Sequence, residues 1–149
     1  LYYAPDFPLT SGTITLSTLI RNIGELDGGS CKARFTIDST EYTEEMDIDA
    51  EVPALDAGST ATVHANVKLY VAQTYNVEVK VNPDASIWDG NMENNDMDMY
   101  MEVKAPLALE RIREYLLGLE SLTLDEKNRS DINHDAKIDV SDMIMLMGW

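Results

Sequence analysis

Apolar residues recurring at every second position decide what most of this chain can become. Ala61, Val63, Ala65, Val67 and Leu69 alternate with Thr62, His64, Asn66 and Lys68. Tyr75, Val77, Val79 and Val81 alternate with Asn76, Glu78 and Lys80, and Met97, Met99, Met101 and Val103 with Asp98, Tyr100 and Glu102. Successive strand side chains point to opposite faces, so this period builds strands with one buried face and one wetted face. Ala33, Phe35 and Ile37 give a shorter run, and Ile14 with Leu16 opens another. Asp27-Gly28-Gly29, Ala57-Gly58-Ser59, Asn82-Pro83-Asp84 and Asp89-Gly90-Asn91 supply turns between them. About seven short antiparallel strands punctuated in this way predict a β-sandwich, with no helix before residue 104.

The period changes after Lys104-Ala105-Pro106. Leu109, Ile112, Leu116 and Leu119 fall at i, i+3, i+7 and i+10, which predicts an amphipathic helix with Pro106 near its first turn and Gly118 near its end. Residues 120–130 read as a polar connection. The chain therefore divides into a sandwich over 1–104 and a small α-helical piece over 105–149. It is mainly β overall.

Charge and cysteine usage remove several functional classes. Asp and Glu outnumber Lys and Arg by 27 to 11, a net charge of −16, and no basic cluster interrupts that field. A surface of this sign repels phosphate backbones and argues against nucleic-acid binding. Cys31 is the single cysteine, which excludes an intrachain disulfide and a Cys/His zinc cluster. No apolar stretch approaches the roughly 20 residues of a transmembrane helix, so no membrane span is expected here. The chain opens on Leu1, which reads as a fragment or a processed form of a larger protein.

Part of the acidic excess stands at cation-ligand spacing. Asp131 to Asp142 reads as a twelve-residue, EF-hand-type loop with side-chain oxygens at positions one, three, five, nine and twelve: Asp131, Asn133, Asp135, Asp139 and Asp142. Position seven, Lys137, offers its backbone carbonyl, and Ile138 at position eight is the apolar pin. Calcium takes six to eight hard oxygens at roughly 2.3–2.6 Å, and this spacing wraps such a set around one point. Two residues depart from the ideal. Ala136 stands at position six, where glycine normally supplies a positive φ, and Asp142 at position twelve has a shorter reach than glutamate. His134 at position four points away from the expected ion and is not a ligand. A following apolar run of Met143, Ile144, Leu146 and Met147 completes the pattern.

Two resemblances follow from these residues. The stretch Leu109-Glu-Arg-Ile-Arg-Glu-Tyr-Leu-Leu-Gly-Leu119, together with residues 130–147, resembles a type I dockerin, a family of paired loop–helix calcium repeats that bind cohesin domains on scaffold proteins. In that likeness residues 131–147 are the second repeat. The place of the first calcium loop holds Val103-Lys-Ala-Pro-Leu-Ala108, which has no oxygen ligands. A degenerate, one-site dockerin is implied, with Val140 and Ser141 at the two loop positions that help choose the cohesin partner.

The sandwich resembles a CARDB domain, an Ig-like family tied to bacterial and archaeal cell-surface proteins. Thr13-Ile-Thr-Leu-Ser-Thr-Leu-Ile-Arg-Asn-Ile-Gly24 looks like its opening strand with the Asn-x-Gly turn. Leu55-Asp-Ala-Gly-Ser59 looks like its Leu-x-Ala-Gly turn, and Val79-Lys-Val-Asn-Pro-Asp84 with Met92-Glu-Asn-Asn95 resembles its ending. The likeness covers roughly residues 10–103 and implies fold more than activity.

Other candidates read as structure. His64 is expected on an outward strand face, and with only two histidines in the chain a Ser/His/Asp apparatus has little support. Trp88 and Tyr100 read as packing or rim residues, the Met97/Met99/Met101 stripe as core, and Asn128-Arg-Ser130 as a sequon by pattern alone. Asp89, Asn91, Glu93 and Asp96 form a second oxygen-rich patch that reads as a polar loop before it reads as a metal site. The expectation is a non-catalytic extracellular or cell-surface module of a prokaryotic, cellulosome-like system, docking to a cohesin under calcium control. The alternative is a spacer whose calcium-clamped end packs on its own sandwich. A role as the ancillary domain of a secreted carbohydrate-active enzyme or protease is a distant third.

Overall fold

The computed structural model describes residues 1–39 and 45–148. Within them the order is β1 (Tyr2–Ala4), β2 (Thr13–Arg21), β3 (Cys31–Ser39), β4 (Glu45–Val52), β5 (Thr60–Lys68), β6 (Gln73–Val81), a single 3-10 turn (Met92–Asn94) and β7 (Asp96–Val103). Three helices follow: α1 (Leu109–Leu116), α2 (Leu124–Ser130) and α3 (Val140–Met147). The strands form two antiparallel sheets, one ordered β1-β2-β5 and the other β4-β3-β6-β7.

The alternating residues set the register of these sheets. Ile14 and Leu16 stand opposite Val67 and Ala65, while Phe35 and Ile37 stand opposite Val79 and Val77. A slip by one residue would turn every apolar side chain to water, so the pairing is strongly specified. The inward faces meet in one core around Phe35, Ile14, Leu16, Val77 and Met101, each without solvent exposure. The methionine stripe is graded along β7: Met101 is buried, Met99 packs at the core margin and Met97 is 54% exposed. Strand β4 is an addition to the sequence reading. Its inward residues Met46, Ile48, Ala50 and Val52 do alternate, but acids fill every position between them and Met46 remains half exposed.

Asn82 closes the turn after β6. It is buried with φ 53°, a left-handed conformation that asparagine tolerates. Its side-chain NH₂ donates to the Ile87 carbonyl at 2.9 Å, and its oxygen accepts from Ser86 Oγ and the Ile87 amide. Ile87 is thereby pulled onto the core.

The helical segment has a second, separate cluster of buried Leu107, Ile112 and Leu122, flanked by Tyr115, Leu116, Ile138, Met143 and Leu146. Helix α1 is shorter than the apolar period suggests. Gly118 takes φ 72° and donates to the Tyr115 carbonyl while Leu119 N–H reaches back to Glu114, which is the Schellman ending that stops a helix. Leu119, placed on the helix stripe by its spacing, lies beyond that stop and is exposed. Helix α2 replaces what reads as a polar connection. Its signal is a capping box, in which Thr123 Oγ1 accepts from the Glu126 amide and the Glu126 carboxylate accepts from the Thr123 amide. Among the described residues no helix is long and apolar enough to cross a membrane.

Candidate metal centre

The loop between α2 and α3 is folded by its own side chains. Asp131 caps α2, and its two carboxylate oxygens accept from the Asp135 and Ala136 amides at 3.0 and 2.9 Å. Asn133 Oδ1 accepts from the same Asp135 amide at 3.1 Å, so oxygens from loop positions one and three converge on one nitrogen. Asp135 Oδ1 in turn accepts from the Lys137 amide at 2.9 Å. Two left-handed residues make these contacts possible, His134 at φ 58° and Ala136 at φ 64°. Ala136 therefore holds the conformation expected at loop position six, at a cost of about 1 kcal/mol for a residue with a Cβ.

The far end of the loop is tied back to the near end. Asp139 caps α3, accepting from the Ser141 amide at 2.7 Å. That backbone hydrogen bond, helped by the Ser141 hydroxyl and by Lys137, holds the Asp139 carboxyl below the usual carboxylate range. Asp142 has no solvent exposure. Its Oδ1 accepts from the Ile132 amide at 2.8 Å and its Oδ2 from the Asp139 amide at 2.9 Å. Burying a carboxylate is costly unless donors surround it, and here three backbone N–H groups do so once the longer Asn133 amide contact at 3.4 Å is included.

The donor set is hard oxygen only, the kind calcium selects. Among the described residues, however, no three Asp, Glu, His or Cys side chains stand together as a ready metal cage. Asp131, Asp135, Asp139 and Asp142 are spread around the loop, each on backbone N–H donors. These hydrogen bonds leave further lone pairs on the carboxylates, which is the chemistry a hard cation requires of its donors. Lys137 is exposed, and its part in the expected set is its carbonyl alone. Val140 is 63% exposed at the start of α3, and Ser141 beside it is exposed too.

His64 is exposed and bonds Ser17 Oγ through Nδ1 at 2.7 Å, directly across the β2–β5 pair. That is a cross-strand tie. In the second oxygen-rich patch, Asp89 accepts from the Asn91 amide and from Asn95 Nδ2, and Asn91 from the Glu93 amide, so these groups cap a polar loop. Asn128 lies inside α2, and the hydroxyl of buried Ser130 is committed to the Glu126 carbonyl. The sequon is thus part of a helix.

Comparison with known proteins agrees with the sandwich. The CARDB family matches residues 2–99, and the chain belongs to that family. Among solved structures, the CARDB domain of the PF1109 protein from Pyrococcus furiosus, in complex with di-metal ions, is 17% identical with a TM-score of 0.53. The match covers 68% of this chain and 86% of that one. A domain of a protein assigned to the cell surface of Methanosarcina acetivorans is 22% identical, with a TM-score of 0.52 and coverage of 69% and 87%. The Pseudomonas fluorescens alkylpurine DNA glycosylase AlkC, bound to DNA containing an abasic site analog, is 16% identical with a TM-score of 0.53; the match covers 69% of this chain and 29% of that enzyme. At these identities the likeness is one of fold. A search among curated proteins finds no match.

Proposed function

We infer that this chain is a non-catalytic, extracellular or cell-surface module of a larger protein, and that calcium orders its C-terminal segment as a clamp beside its own sandwich. The observation that carries this reading is the loop itself. Asp131 and Asn133 oxygens meet on the Asp135 amide, the backbone is turned by left-handed Ala136, and Asp142 reaches back to Ile132. A second support is size. A segment of some 45 residues whose apolar cluster is built on little more than Leu107, Ile112 and Leu122 is below what a hydrophobic core alone sustains, and metals are a common remedy. Membership of the CARDB family and the cell-surface assignment of the Methanosarcina relative favour the location.

Docking to a cohesin is the second reading. It is favoured by the exposed apolar face of α3, where Val140 and Ile144 are 63% and 60% open to water. A place within an enzyme is the third, and the glycosylase shares this fold over 29% of its own chain.

Isothermal titration of the chain with calcium tests the first reading. One site should appear, with chelation exposing residues 105–148 to protease while the sandwich stays resistant. Asp131→Ala should abolish the binding heat. Absence of heat in the unaltered chain would sink the reading. Calcium-dependent capture by an immobilised cohesin would replace the clamp with docking.

A further inference from the structure

Helix α2 touches both ends of the problem. On one side it holds the linker that leaves the sandwich: Lys104 Nζ pairs with Asp125, Arg129 Nε donates to the Ala105 carbonyl at 2.8 Å, and the Leu107 amide donates to the Arg129 carbonyl at 3.1 Å. Arg129 also stands 3.7 Å from Asp125 one turn earlier, so these two side chains form one clasp over residues 104–107. On the other side the helix ends in Asp131, loop position one. Asp131 N–H donates to the Lys127 carbonyl at 3.1 Å, and its carboxylate takes the Asp135 and Ala136 amides. Only Ser130 separates Arg129 of the clasp from Asp131 of the loop.

We propose that α2 is a relay, so that metal occupancy of the 131–142 loop and the seating of the helical segment on the sandwich form one coupled equilibrium. This rests on the calcium reading above. The clasp is built to be tipped. Lys104, Asp125 and Arg129 are 38%, 49% and 29% exposed at their side chains, and exposed ion pairs are weak. Beside them lies an open groove of about 250 Å³ bounded by Phe7, Leu9, Glu102 and Asn128. An ion that pins Asp131 holds the last turn of α2, and with it the Arg129 carbonyl that receives Leu107. Linkage makes the effect mutual: whatever factor calcium adds to seating, seating adds to calcium affinity.

The test is ¹⁵N relaxation on the full chain, with calcium affinity measured in parallel. With saturating calcium the sandwich and residues 109–147 should share one tumbling time, and without it the helical segment should tumble faster. Lys104→Ala, which lies outside the helical segment, and Asp125→Asn, which removes the opposite charge, should each shift the tumbling of residues 109–147 part of the way toward its calcium-free value at saturating calcium. Each should weaken affinity by about threefold, as fits a weak ion pair. Calcium binding with no change in relative tumbling, or unchanged affinity in both variants, would overturn the relay alone. No binding in the unaltered chain would overturn the calcium reading and the relay together.

Discussion

The Asp142 carboxylate sits 2.8 Å from the Ile132 amide, which joins the first turn of α3 to the opening of the loop ten residues earlier. Both residues are buried. The contact closes the loop through a backbone donor. Asp142→Ala should therefore strand buried N–H donors, and at about 1–3 kcal/mol per unsatisfied group it should unfold the helical segment. Amide exchange resolved by residue would show lost protection at 107–147 and none lost in β2, β3 and β6. Retained protection at Ile112 would refute this account of the loop.

Ala136→Gly should act in the opposite direction. Its φ of 64° is strained for alanine and ordinary for glycine. Relief of about 1 kcal/mol corresponds to roughly a fivefold gain in calcium affinity if the strained form is the bound form. Calorimetry on the two proteins side by side measures it, and a weaker glycine variant would contradict the assignment of position six.

Phe35→Ala removes the largest fully buried side chain of the sandwich. A loss of about 3–5 kcal/mol is expected for a phenylalanine at such a site. Because Phe35 belongs to one buried cluster and Ile112 to another, thermal unfolding followed by near-ultraviolet circular dichroism should lose the sandwich transition first. A loss below 1 kcal/mol would mean that the core repacks around the gap.

Acid should loosen α2 through Glu126. The Thr123 amide is the main reason its carboxyl lies below the ordinary value of 4.5, and Arg111 adds to it. A group whose folded value is depressed contributes stability that is present above its unfolded value and is lost as pH falls through the folded one. The helical segment should thus be at full strength at pH 6 and weaken below about pH 4.5. Glu126→Gln should flatten that slope in a pH series of urea melts; an unchanged slope would assign the acid sensitivity elsewhere.

Much of the sandwich was legible because burial on one face forces a period of two. β3, β5, β6 and β7 coincide with alternating runs, whereas in β2 the alternation holds only through Ile14 and Leu16, after which Ser17 and Thr18 are both buried. β4 was harder to see, since an edge strand covers little core and its acids mask weak apolar partners. β1 is only three residues long and has no period to read. In the helical segment, Leu124 is 76% exposed and α2 offers no apolar stripe, so its one legible trace was the Thr123–Glu126 box. The loop was legible as spacing. What spacing could not convey is that the oxygens rest on backbone amides, because those contacts depend on left-handed turns at His134 and Ala136.

The four-stranded sheet ends on β4 at one margin and β7 at the other. Glu45, Asp47, Asp49 and Glu51 line the first, and Asp96, Asp98 and Glu102 the second. Unpaired strand backbones invite neighbours to add on, and like charge is a common defence. Lys32 and Arg34 offset Asp47 and Asp49, and Lys104 offsets Glu102, yet acids outnumber these partners on both rims, so copies brought side by side would meet with like net charge and resist fusing sideways into a continuous sheet.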